Sequence, residues 1–267
     1  MHEERNSGGL AVVTGASSGI GLELAKLFAE NGYDLIVCAE DDAIETVAQK
    51  LRESGTDVES VQADLADRAG VDRLYQRMTN RDVQAVALNA GIGAGGAFAD
   101  GTALEDQLKL VDLNVRSTVQ LAKHAVSDMT QRGEGRILFT SSIASTQPGT
   151  YQAVYNASKS FVQSFALALR EELKDSGVSV TSLMPGPVET EFFERADMLD
   201  TNVGAGDKDD PADVARQGFE ALMNGDERVV SSSLASKAMG IGSRVVPDSI
   251  KAKVHGKMAE PGSADDG

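Results

Sequence analysis

Thr14-Gly15-Ala16-Ser17-Ser18-Gly19-Ile20-Gly21 separates two apolar stretches of different period. Before it, residues 10–13 form a short unbroken apolar run that suits a buried strand. After it, Leu22, Leu24, Ala25, Leu27, Phe28 and Ala29 suit a packed helix. Glycines at such a junction permit a tight turn, close backbone approach to a pyrophosphate and close helix–strand packing. The free amides of the helix N-terminus then face the phosphates, where the helix dipole favours negative charge. The spacing is G-x-x-x-G-x-G, and no Gly-Lys-Ser/Thr follows, so a P-loop is excluded. Gly-rich strand–helix turns also occur for packing alone, but this context favours a dinucleotide.

A second apolar run, residues 34–39, ends at Glu40, roughly 20 residues beyond the glycine turn, where a carboxylate accepts hydrogen bonds from an adenosine ribose. A carboxylate there repels the extra phosphate of NADP, and neither Ser17 nor Ser18 offers a compensating cation. The sequence therefore points to NAD, with NADP as the alternative. Read without a ligand, Glu40, Asp41 and Asp42 make an acidic helix start, which the dipole also favours.

Further along, Tyr155 and Lys159 stand four residues apart with Ser142 upstream. Ala153, Val154, Ala157, Phe161, Phe165, Leu167, Ala168 and Leu169 recur at helical spacing around them, so the pair shares one helix face. A phenol with its ordinary pKa of about 10 is a poor acid at neutral pH. An ammonium held close favours the phenolate and lowers that value. Tyr/Lys pairs at this spacing are common on helices; the dinucleotide turn upstream is what makes this one a candidate for proton transfer.

With these motifs in order, the chain resembles the classical short-chain dehydrogenase/reductase family over residues 10–190. Gly15, Ser17, Ser18, Gly19, Ile20 and Gly21 resemble its cofactor turn, and Asp64-Leu65 the pair that meets the adenine ring. Asn89-Ala90-Gly91 resembles the family's N-N-A-G motif, with Leu88 in place of the first asparagine. Pro185, Gly186, Val188 and Thr190 match the P-G-x-V-x-T segment beside the nicotinamide, and Asn114, Ser142, Tyr155 and Lys159 match the catalytic four. The resemblance implies that Tyr155 is the general acid in carbonyl reduction or the base in alcohol oxidation. Lys159 would lower its pKa and hold the nicotinamide ribose, Ser142 would hold the substrate oxygen, and Asn114 would support a water chain to Lys159. Ser141 is the runner-up for the Ser142 role. The acid at the ribose departs from the family pattern, because Ala39 occupies the aspartate slot and Glu40 the arginine slot. The run from Gly91 to Gly96 reads either as a mobile rim of the substrate cleft or as a loose loop.

The 267 residues suffice for one α/β core. Strands are expected at residues 10–14, 34–39, 58–62, 83–88, 136–141, 179–184 and 228–231. Helical patterns fall at 20–31, 43–54, 115–129, 152–175 and 212–223. Such alternation predicts a single-domain, Rossmann-type, doubly wound α/β fold with a mostly parallel seven-stranded sheet covered on both faces. The catalytic domain is expected over residues 10–245, with 186–210 folding over the substrate as a lid. Residues 1–9 are expected to be loose, and 246–267 to form a partly disordered tail.

A net charge of −16 and a pI near 4.6 argue against nucleic-acid binding and against an anchor on anionic lipid. No apolar stretch reaches bilayer length and no signal-peptide core opens the chain, so a cytoplasmic protein is expected. The single cysteine, Cys38, lies in an apolar strand and reads as a buried, inert thiol. His2, His124 and His255 are scattered, so no metal site is expected. The leading expectation is a hydride-transferring oxidoreductase acting on a secondary alcohol or ketone. An NADPH-dependent carbonyl or 3-oxoacyl reductase is the runner-up, and a non-catalytic dinucleotide sensor comes next. The resemblance also implies a homo-oligomer, dimer or homotetramer, built through the helices at 115–129 and 152–175.

Overall fold

The computed structural model describes residues 8–231 and 247–266. Seven parallel strands form one sheet in the order β3-β2-β1-β4-β5-β6-β7. They are β1 Gly9–Thr14, β2 Tyr33–Ala39, β3 Val58–Gln62, β4 Val83–Leu88, β5 Gly135–Thr140, β6 Val178–Pro185 and β7 Arg228–Ser231. Each expected strand is present, with boundaries differing by at most one residue. Because β1 neighbours both β2 and β4, the winding reverses there and a crevice opens beyond the strand C-termini.

Helices cover both faces, which is why the strands read as continuous apolar runs rather than alternating ones. Along β1, Leu10 and Val12 face one core and Ala11 and Val13 the other. The second core is closed by α1 (Gly19–Glu30), α2 (Ala43–Glu53) and α9 (Pro211–Asn224), where Phe28 meets Phe219 edge-on with ring centres 5.1 Å apart. The first is closed by α3 (Arg68–Met78), α5 (Thr118–Arg132) and α6 (Ala153–Glu172). Between α4 (Leu104–Val111) and α5, residues Asp112–Ser117 form a π-helical segment that contains Asn114. The helix expected at 115–129 is thus part of a longer helical rod that begins at Leu104.

The C-terminal expectation requires correction. Residues Asp248–Ala259 form α10, and Ser263–Asp266 form a further helical turn, where the sequence reads as a tail. Two short helices in the substrate-loop region, α7 (Phe192–Arg195) and α8 (Asn202–Ala205), receive this end of the chain. The Asn202 side-chain amide donates to the Lys257 carbonyl at 3.2 Å, and Gly262 N donates to Asp200 Oδ2 at 2.8 Å. The helix escapes a periodicity search because its buried positions are His255, Gly256 and Ala259, while Ile250 and Val254 face outward. At the other end, Gly9 opens β1 with φ +97° instead of belonging to a loose end. Residues 1–7, 232–246 and 267 lie outside the described residues.

Candidate active site

A cleft of about 290 Å³ runs across the C-terminal ends of β3, β2, β1, β4, β5 and β6. Its lining includes all of the sequence-derived cofactor residues except Gly21 and all of the catalytic four except Asn114. Those two stand behind the wall. A side chain at Gly21 would collide with the Gly15 carbonyl, so this glycine serves the close packing of α1 on the turn. Asn114 accepts from Ile92 N at 3.0 Å and donates to Ile92 O at 2.9 Å and Ser158 Oγ at 3.1 Å, fastening the 91–92 backbone to α6.

The glycine turn is built for close approach. Gly15 has φ +66°, and a Cβ on it would lie 2.9 Å from Ala90 Cα. Asn89 locks the turn to its neighbours, donating from Nδ2 to Thr14 O at 3.1 Å and accepting from Thr140 Oγ1 at 3.0 Å. Ser18 precedes α1 without donating or accepting a side-chain cap, so the first-turn amides are left to face the cleft. An uncapped helix start beside a turn with glycines at positions 15 and 19 fits a pyrophosphate.

At the β2 and β3 end, Glu40, Asp41 and Asp64 line the cleft. Ser17 Oγ donates to Asp41 Oδ2 at 2.8 Å. Lys109, reaching in from α4, lies 3.2 Å from Glu40 Oε2 and 3.4 Å from Asp64 Oδ2. Burial pulls the Lys109 pKa down, but the two carboxylates outweigh it and raise the value overall. Glu40 thus faces the cleft, as an acid that contacts an adenosine ribose must, with a lysine at its side.

At the β5 and β6 end sit the proton-transfer candidates. Tyr155 and Lys159 occupy the first two turns of α6 and both are buried. The expectation that Lys159 lowers the Tyr155 pKa is overridden here by burial. Desolvation pushes Tyr155 up to about 12, partly offset by a hydrogen bond with the Ser142 side chain. Desolvation also pulls Lys159 down to about 8. The Ser142 hydroxyl caps the following turn by accepting from Ala144 N at 3.1 Å. Ser141 instead donates to the Lys159 carbonyl at 3.0 Å, a helix-anchoring contact that separates it from the Ser142 position.

These motifs, in this order around this crevice, correspond to a known sequence family: the family described as short chain dehydrogenase matches residues 9–199. The chain is a short-chain dehydrogenase. Among its relatives, a Streptomyces coelicolor protein assigned as a ketoacyl reductase is 35% identical over 188 residues, 68% of this chain and 71% of that one. A Sphingobium yanoikuyae short-chain dehydrogenase in complex with NADPH superimposes with a TM-score of 0.79 at 26% identity, covering 90% of this chain and 96% of the other. A Burkholderia phymatum short-chain dehydrogenase/reductase in complex with NAD gives 0.81 at 25% identity, covering 90% and 94%. This short-chain dehydrogenase is therefore an oxidoreductase that works with a nicotinamide cofactor.

Sequence reasoning missed part of the dehydrogenase's cleft. Phe192 and Phe193 from α7, and His255, Met258 and Ala259 from α10, also line it. The aromatics were visible as an apolar island between charges at 186–210, whereas nothing in the pattern marked α10. The undecided Gly91–Gly96 run acquires a reason. A side chain at Gly93 would run into the Phe192 ring, one at Gly95 would run into Met198, and Gly95 N donates to Ala196 O at 3.0 Å. The glycines let the 186–210 segment lie directly on this rim. Among the described residues, no helix is long and apolar enough to cross a membrane.

Proposed function

We propose that this dehydrogenase moves a hydride between NAD and a secondary alcohol or the matching ketone, with Tyr155 as the acid–base group. The observation that carries the proposal is a buried phenol, hydrogen-bonded to Ser142, on the same helix face as a buried lysine at the floor of the cleft. When bound, the nicotinamide ring supplies the hydride in reduction or accepts it in oxidation. In reduction, neutral Tyr155 donates its proton to the carbonyl oxygen as that oxygen gains charge. In oxidation, it takes the proton back from the alcohol. Ser142 donates to the same oxygen and steadies the developing charge. The Lys159 ammonium favours the phenolate that Tyr155 becomes, and it also suits a ribose hydroxyl. Asn114 holds the 91–92 backbone beside Lys159, and the 186–210 segment covers the reacting end.

NAD is favoured over NADP because Glu40 and Asp41 both line the ribose end, where a second phosphate would meet negative charge. The runner-up, an NADPH-dependent carbonyl or 3-oxoacyl reductase, draws on Lys109, a cation beside Glu40 that could be turned to a phosphate. Titration with NADH and NADPH of the unsubstituted protein and of Glu40→Arg decides between them. NADH preference that reverses in the variant supports the NAD reading; NADPH preference in the unsubstituted protein overturns it.

We also propose a cytoplasmic homo-oligomer, dimer or tetramer. Leu104, Leu108 and Val111 lie on one face of α4, which packs beside α6, and all three are exposed, as is Phe161 of α6. A second copy of that surface would cover them. Sedimentation that gives a monomer at working concentration would refute the oligomer, and recovery of the activity in a membrane or secreted fraction would refute the location.

A further inference from the structure

Three ionisable side chains that line the cleft are buried: Tyr155, Lys159 and His255. The first two are taken up by proton transfer. His255 is 8% exposed, projects from α10, and has no part in that chemistry. Its position is fixed from two directions. Nδ1 lies 3.1 Å from the Thr150 carbonyl, and the Thr150 hydroxyl donates back to the Ala252 carbonyl at 2.7 Å. The packing is close at Gly256, where a Cβ would stand 3.3 Å from Thr150 Cγ2. Thr150 is five residues before Tyr155, so α10 is docked on the segment that leads into the proton-transfer helix.

The Thr150 carbonyl can only accept, so Nδ1 carries the ring proton. In the neutral imidazole the lone pair then belongs to Nε2, and among the described residues no protein group bonds to that atom. Burial lowers the His255 pKa, with partial compensation from the Thr150 carbonyl, which keeps the ring neutral at neutral pH. The elements around it, α7, α8 and α10, give the cleft the apolar side chains of Phe192, Phe193, Val203, Met258 and Ala259, and the two charged residues there, Glu191 and Arg195, pair with each other. Such a wall suits a hydrocarbon body, and one unpaired acceptor within it selects a ligand that brings a donor to it.

We propose that His255 is a second polar anchor of the substrate subsite, and that the enzyme takes apolar hydroxy-ketones, or the matching diols, whose remote hydroxyl donates to Nε2. This rests on the oxidoreductase reading above. A neutral acceptor gives no advantage to a carboxylate, which has no proton to offer.

The test uses full-length protein with NADH and a graded series of straight-chain methyl ketones. Each is compared with the partner that ends in a hydroxyl and the partner that ends in a carboxylate. At the matching chain length, the hydroxyl should raise kcat/KM by about tenfold, the scale of one net hydrogen bond. His255→Phe, which keeps a ring of similar size but no acceptor, should bring that ratio close to one. His255→Gln, which retains an acceptor oxygen, should preserve part of it. NADH titration of each variant reports whether the fold persists, and His255→Gln carries the comparison if the phenylalanine variant fails to bind. The proposal is overturned if no hydroxylated ketone outperforms its parent, if the ratio survives in His255→Phe, or if the carboxylate series is preferred. Turnover of no ketone despite NADH binding would instead sink the oxidoreductase reading, and this proposal with it.

Discussion

Lys159 Nζ lies 6.0 Å from the centre of the Tyr155 ring and donates to the Thr140 carbonyl at 2.9 Å. The ammonium is thus tied to the end of β5 while it stands beside the phenol, close enough to favour a phenolate but not bonded to it in this arrangement. Its burial sets a cost that can be measured. Between a folded pKa of about 8 and the ordinary 10.5, the unfolded chain holds a proton that the folded protein releases. Stability therefore rises with pH through that window, and the cost is fully present below it. Lys159→Met should be more stable than the parent at neutral pH by about 2 kcal/mol, after allowing for the lost bond to Thr140. The gain should vanish above the ordinary lysine pKa while turnover is lost at every pH. Urea denaturation across pH checks this; a variant less stable at neutral pH would show that the buried ammonium is a net support of the fold.

Tyr155 has the opposite sign. Its folded pKa of about 12 exceeds the ordinary 10.0, so the folded protein holds a proton that the unfolded chain has lost. Stability should fall as pH rises through that interval, and Tyr155→Phe should remove this slope. The same variant should lower kcat by about 10²- to 10⁴-fold, the usual worth of a positioned proton donor, with NADH affinity nearly unchanged. Steady-state rates and NADH titration on one preparation read both effects. Retained turnover would remove Tyr155 from the chemistry.

Lys109 makes a separate prediction at the adenosine end. Bridging Glu40 and Asp64, it offsets one of the three negative charges, those of Glu40, Asp41 and Asp64, that a second phosphate would meet. Lys109→Met should therefore widen the preference for NADH over NADPH, on the order of threefold at low salt and less at high salt. Dissociation constants for both cofactors at two salt concentrations decide it. If the variant loses NADPH and NADH equally, Lys109 is a structural tie only.

Most of the fold was legible because parallel strands buried on both faces leave unbroken apolar runs, as at Ala11, Val12 and Val13, and the helices between them carry their own period. The glycine turn, Ser142, Tyr155 and Lys159 were legible as candidates because the turn joins β1 to α1, Ser142 follows β5, and Tyr155 and Lys159 share one face in the first two turns of α6. What the sequence hid has physical causes. Helix α10 buries a histidine, a glycine and an alanine and leaves Ile250 and Val254 in solvent, so hydropathy points the wrong way. The pKa order of Tyr155 and Lys159 was hidden because residue spacing gives adjacency but not desolvation, which dominates both.

The rim glycines were the other illegible feature, and Gly93 offers the sharpest check of what they do. A methyl group there would meet the Phe192 ring, and that ring lies 5.2 Å from the Tyr155 ring. Because the obstructing atoms belong to a side chain and not to backbone, the fold can yield by turning Phe192. Gly93→Ala should then cost about 1–2 kcal/mol of stability, within the usual range for one extra methyl in a packed contact. The larger effect should fall on the substrate, because a displaced Phe192 reshapes the wall beside the reacting oxygen. KM for a ketone substrate should rise several-fold on the scale of one lost apolar contact, with kcat changed far less. Michaelis profiles and thermal melts of the same samples separate the two effects. A lowered melting temperature with KM unchanged would show that Phe192 braces the 186–210 segment without touching the substrate.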